Sequence, residues 1–168
     1  MRLFHWLFGR PHKRGVVVGD GRFALRVVGT ASHQERLERV IGGRSSARLR
    51  VYRAALLVPQ PSNLYDRQAV AVILAGLELG HLGRGDARKF QSALCGHGFA
   101  DAACEAEIIG GWLRGEHDWG YVGVRLNACL PFKIITADQY EKTQSQVARQ
   151  EGHRVEAPNQ DPRGRAIP

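Results

Sequence analysis

Paired cysteines are missing from this chain: Cys95, Cys104 and Cys129 form no C-x-x-C motif, and an odd number does not close a secreted disulfide framework. That usage points to a reducing cytoplasm. No G-x-x-x-x-G-K-[ST] phosphate loop, H-E-x-x-H helix or G-x-S-x-G elbow is present. An autonomous ATPase, zinc protease or serine hydrolase is therefore not expected, and the chain reads as non-catalytic. No apolar run reaches transmembrane length. The opening MRLFHWLFGRPHKR has an apolar core too short for a secretory leader, more positive charge behind it and no small-residue cleavage site. It reads as a first strand or a hydrophobic staple onto the core, with surface membrane association the minority reading and no membrane partner expected. Internal repeats and long heptad runs are also lacking.

Acidic residues are scarce where basic ones gather. Lys and Arg number 24 against 16 Asp and Glu, a net charge of +8, while 43% of the 168 residues are hydrophobic. A folded domain with an anionic partner follows from that balance. Between residues 36 and 53, Arg36, Arg39, Arg44, Arg48, Arg50 and Arg53 face only Glu38, which makes this stretch the candidate basic patch. Residues 137–168 balance basic against acidic groups and do not form a basic arm.

Hydrophobic periodicity divides the chain into short elements. RFALRVV, Arg22 to Val28, reads as a strand ending at Gly29. Leu37, Val40 and Ile41 lie at helical spacing between His33 and the stop at Gly42-Gly43. Along 47–58, Leu49, Val51 and Ala55 alternate with Arg48, Arg50 and Tyr52, so a strand with an apolar face and a basic, aromatic face is expected. AVAVIL, Ala69 to Leu74, is apolar on both faces and reads as a central strand, and Ala75-Gly76 turns it into the hairpin partner LELGHL. Asp86 is placed to cap a helix carrying Phe90 and Leu94, with Gly96 and Gly98 as stop signals. Two strands follow, over about Ala103 to Ile109 and Tyr121 to Leu126. Thr136 and Gln139 form a capping box opening a polar helix to about Gln150. The expected fold is mainly β with short helices (α+β): a small six-stranded OB-like or SH3-like barrel with a C-terminal helical tail. Its boundaries are a basic, apolar N-terminal segment over 1–19, the barrel over 20–135, and a helix and disordered tail over 136–168.

The segment Asn63-Leu64-Tyr65-Asp66, followed by Ala69 to Leu74 and then by Gly76 to Arg84 in a G-x-x-x-G-H-L-x-R pattern, is the most informative part of the sequence. Taken alone, Asn and Asp here make a strand connection with Tyr65 packed over it. Taken together, N-x-Y-D-x-x-A-V-x-V, a hairpin and G-H-L with a basic residue before a helix closely resemble the HIRAN domain family, from about Phe23 to about Phe132. The resemblance implies a modified OB-like barrel that binds DNA, found alone in bacteria and attached to helicase-type ATPases, and that captures the 3′ end of a single strand. It implies that Tyr65 stacks a terminal base, that Asp66 accepts the terminal hydroxyl and that Asn63 shares their site. It implies further that His81 and Arg84 meet phosphate and end nucleotides, and that Tyr121, or Trp119, adds a second aromatic. Two departures stand out. Where some members carry an Arg-Tyr pair this chain reads Val28-Gly29-Thr30-Ala31-Ser32-His33-Gln34, leaving His33 as partial replacement. The proline often found between the motif's Asn and Tyr is Leu64.

Physical reasoning on the residues agrees with that assignment. Single-strand binding needs aromatic faces for bases and cations for phosphates. Tyr65, Tyr121 and Tyr52 supply the first, and Arg84, Arg125, Arg48 and Arg50 the second. A carboxylate such as Asp66 accepts a bond from a free hydroxyl and repels a phosphate in the same place. The expected partner is single-stranded DNA, with RNA not distinguished, alongside a helicase or repair protein in DNA repair or replication-fork processing. No cofactor is expected. The seven histidines are scattered, so a metal-binding, hydrolase-associated role is the weakest alternative; a protein-interaction module of the same fold is the stronger one.

Overall fold

The computed structural model describes residues 13–43, 49–111 and 120–155. The strands are β1 Arg14–Val17, β2 Leu25–Val28, β3 Leu49–Pro59, β4 Val70–Leu74, β5 Leu77–Leu82, β6 Asp101–Gly110, β7 Val122–Leu126 and β8 Ile134–Ile135. The helices are α1 Gln34–Ile41, α2 Arg84–His97 and α3 Ala137–Val155, with a 3-10 turn over Thr30–His33. The chain divides into two units between Thr136 and Ala137.

The first unit is a closed barrel. Its strands run β3-β4-β5-β2-β7-β6 and return from β6 to β3, every pairing antiparallel. Closure is possible because β6 is long: Ala102 to Gly110 pair with β3, while Ala106 to Gly110 pair with β7 on the other edge. The start of β6 is thereby left open to β1, which joins it in parallel and carries β8 on its own far edge. The sheet thus begins at Arg14, ahead of residue 20. Arg14 is held there by Asp101, with a Nε–Oδ1 distance of 2.6 Å, and this partner raises the pKa of the guanidinium.

Alternation sends one set of side chains inward. Leu57, Val72, Leu74, Ala106, Ile108, Val124 and Leu126 are all buried, and α1 and α2 add Leu37, Ala87, Phe90 and Leu94. Phe90 meets Phe132 edge-on at 5.4 Å. Each of the Val, Leu, Ile and Phe side chains among these contributes roughly 1.5–3 kcal/mol by leaving water. β4 is buried along nearly its whole length, as its two apolar faces predict. Cys104 lies in the same core, where burial pushes its thiol up to about 12. A thiol held protonated to that degree does not act as a nucleophile at neutral pH.

Three local expectations are corrected. The strand predicted from Arg22 begins only at Leu25, because Phe23 adopts a left-handed conformation with φ of 49° that no strand accommodates. Asp86 does not cap α2. The helix starts at Arg84 with Gly83 before it, and Asp86 sits in the first turn, where its charge favours the exposed N–H groups and where it pairs with Lys89 at 3.7 Å. The polar helix α3 opens directly after Thr136 but continues to Val155, past the expected Gln150. Among the described residues no helix is long and apolar enough to cross a membrane.

Candidate nucleic-acid interface

The turn between β3 and β4 is built by side chains bonding backbone. Asn63 Oδ1 accepts from the amides of Tyr65 at 3.0 Å and Asp66 at 3.2 Å, and Asp66 Oδ1 accepts from the amide of Gln68 at 2.9 Å. These two Asx-type turns hold the loop without using the side chain between them. Tyr65 is accordingly 98% exposed and Leu64 96% exposed. The reading in which Tyr65 packs over its own turn is therefore corrected: its ring rests on nothing.

Around that ring the polar groups join into one network. Asp66 Oδ2 faces Arg84 Nε at 3.6 Å, at the start of α2. Asn63 donates from Nδ2 to Gln60 Oε1 at 3.1 Å, and His81 Nε2 reaches the same oxygen at 3.1 Å. The Gln60 amide in turn donates to Glu78 Oε2 at 2.9 Å, and Glu78 Oε1 lies 3.7 Å from His81 Nε2. Because Gln60 Oε1 can only accept, His81 donates from Nε2, leaving Nδ1 as an acceptor in the neutral ring. Asn63, Tyr65, Asp66, His81 and Arg84 are thus brought to one surface.

Gln60 and Glu78, which link that surface, escape sequence reasoning. In a regular strand Glu78 and His81, three residues apart, would point to opposite faces. A bulge in β5 changes this: Val72 pairs with Gly80 while Ile73 pairs with Glu78, so Leu79 is the additional residue and both polar groups turn outward. Gly80 is what allows it. Its φ is 147°, and a methyl group there would run into the carbonyl oxygen of Val28 on β2. The only sequence signal was glycine inside a strand, in the G-H-L motif.

The remaining expected residues lie elsewhere. Tyr52, Arg50 and Arg125 form a second group on the outer face of the barrel. Glu107, only 4% exposed, receives Arg50 Nε at 3.2 Å and the Tyr52 hydroxyl at 3.4 Å. Arg125 is its cross-strand partner on β7. Tyr52 also meets the Phe23 ring at 5.4 Å. Tyr121 is exposed beside an open cleft of about 80 Å³ shared with Gln34 and Glu38. Gln34 closes that region by bonding both the amide and the carbonyl of Val122, at 2.8 and 3.0 Å. His33, in the adjacent 3-10 turn, is half-buried and takes no part in the network around Tyr65. Arg48, Arg44 and Trp119 lie outside the described residues. Arg36, from the basic run, donates to the carbonyl of Glu78 at 2.9 Å and so belongs to α1 packing rather than to the Tyr52 face. Among the described residues no three His, Cys, Asp or Glu side chains meet as a metal would require.

Compared with protein-family models, curated proteins and solved structures, the chain matches none.

Proposed function

We propose that this protein is a non-catalytic module that binds the 3′ end of single-stranded DNA, serving repair or replication-fork processing beside a helicase-type or repair protein. The observation that carries the reading is Tyr65, fully exposed on a turn rigidified by Asn63 and flanked by Asp66, His81 and Arg84. A free aromatic on a rigid turn loses little entropy when a base stacks on it, and such a stack contributes roughly 1–3 kcal/mol. Asp66 keeps one carboxylate oxygen on the Gln68 amide and turns the other toward Arg84. A terminal hydroxyl donates to that second oxygen, and the preceding phosphate draws Arg84 away from it. A phosphate at the terminus meets the carboxylate instead and is repelled.

Fluorescence anisotropy with single strands ending in a 3′-hydroxyl or a 3′-phosphate tests this. The hydroxyl strand binds at least tenfold more tightly, and Asp66→Asn narrows the difference. Equal affinity for both ends would sink end recognition. A protein-interaction module is the second reading, favoured by Leu64 standing exposed beside Tyr65 and by Ala31-Ser32 where an aromatic was expected. No binding of any nucleic acid at low salt, together with a reproducible protein partner lost in Leu64→Ser, would select it.

A further inference from the structure

The two groups of candidate residues are joined by the hydrogen-bond register of the barrel. His81 on β5 stands opposite Val28 on β2, and two residues along β2 Arg26 stands opposite Arg125 on β7. Arg125 stands opposite Glu107 on β6, and Glu107 opposite Tyr52 on β3. Residues directly opposite in a ladder share a face, and Val28 and Arg26 share one by alternation. One outward band therefore runs from the end site across five strands to Tyr52. Four strand spacings make it roughly 19 Å long, following the curve of the barrel.

Resting on the end-binding reading above, we propose that the strand whose 3′ end is held at Tyr65 continues across this band and stacks a further base on Tyr52. The band's chemistry fits a polyanion with bases. Arg26 and Arg125 are placed directly opposite each other, a like-charge pair that costs stability in a bare sheet and becomes favourable when a phosphate lies between them. Of the directly opposed residues Glu107 is the one carboxylate, sunk beneath Arg50 and Tyr52, while Glu105, two residues along β6 on the same face, is exposed and accepts from the Asn127 side-chain amide at 2.7 Å. The Tyr52 ring is half exposed and buttressed from one side by Phe23, whose left-handed backbone is held in a sparsely populated conformation to bring it there. Aromatics and cations alternating along a groove are what a single strand requires, at about four or more nucleotides per small barrel.

The test measures anisotropy with 5′-labelled oligothymidylates of about two, four and eight nucleotides, each with a free 3′-hydroxyl. In the wild type, affinity rises on the order of tenfold from the shortest to the longest. Arg26→Gln/Arg125→Gln flattens that rise and lowers the salt slope by roughly 0.7, while Arg26→Gln leaves dinucleotide affinity unchanged. Arg26→Gln alone, at an exposed position, gives about half the loss and guards against misfolding of the double variant. The same length dependence in wild type and double variant would overturn the path while leaving the end site intact. Long strands that ignore Tyr65→Ala yet respond to the double variant would overturn both the continuous path and the end-binding reading. Equal competition by polyglutamate would also overturn it, since a bulk acidic polymer offers no base to Tyr52.

Discussion

The same three residue types, a tyrosine, a carboxylate and an arginine, occur at two places on this barrel in opposite states. At the β3–β4 turn Tyr65 is free, Asp66 and Arg84 meet only at 3.6 Å, and the arginine is largely in water. On the sheet face Glu107 is buried, with Arg50 at 3.2 Å and the Tyr52 hydroxyl bonded to it. The first group is held by Asn63 and one Asp66 oxygen on backbone amides, and it leaves the Tyr65 ring in water. The second is held through its side chains, so part of its polar chemistry is already committed to the fold. A contact that is satisfied internally is expensive to break, whereas an exposed one is free to exchange water for a partner.

Gly80→Ala is the most severe way to break the first region while leaving the second in place. The methyl group meets the Val28 carbonyl at a φ that only glycine tolerates, so β5 must withdraw from β2. A loss of about 3 kcal/mol is expected, read as a lowered midpoint in urea. Next in size is the contrast between the two tyrosines. Tyr65→Ala lowers strand affinity by roughly 10- to 100-fold, or 1–3 kcal/mol, with an unchanged melting temperature. Tyr52→Ala removes a partner from the buried Glu107 and the ring beside Phe23, and lowers stability by about 1 kcal/mol. If Tyr65→Ala is the destabilising one, the comparison is inverted and the turn is structural.

A third experiment uses Cys104 as a reporter of the barrel beneath both regions. Its folded pKa is raised from 9.0 to about 12 by burial, so both states are protonated below pH 9 and the full stability is present there. Above pH 9 the unfolded chain ionises this thiol and the folded one does not. Stability then falls by about 1.4 kcal/mol per pH unit toward pH 12, less so in Cys104→Ala. Thermal melts between pH 8 and 10 read the difference. The smallest effect is expected at Ala75, whose φ of 50° in the β4–β5 hairpin is unfavourable for a residue with a side chain. Ala75→Asn gains roughly 0.5 kcal/mol, detectable as a modest rise in melting temperature.

Much of the barrel was legible from local pattern. Ala75-Gly76 marked a hairpin, and the structure has positive φ at both positions. The two apolar faces of β4 placed it between neighbours, and Gly98 ended α2 in the left-handed conformation expected of a terminating glycine. These features depend on residues adjacent in the chain. What was not legible depends on residues far apart. The bulge at Leu79 puts Glu78 and His81 on one face against the simple period of two, and no spacing rule announces it. The parallel pairing of β1 with the free edge of β6 follows from the length of β6, which its apolar pattern underestimated by two residues at the start and one at the end. The partnership of Gln60 with Asn63 and His81 needs β3 and β5 folded to either side of β4.

Sequence alone determined the element types, the mainly β class and the cluster of polar and aromatic residues at 63–66 and 81–84, because propensity, alternation and turn chemistry act over a few residues. Tertiary structure alone decided that Tyr65 is bare while Tyr52 is buttressed, and that Arg26 and Arg125 stand side by side between them. Exposure and cross-strand register are set by barrel closure, which brings together residues up to about a hundred positions apart and so leaves no trace in any short stretch of the chain.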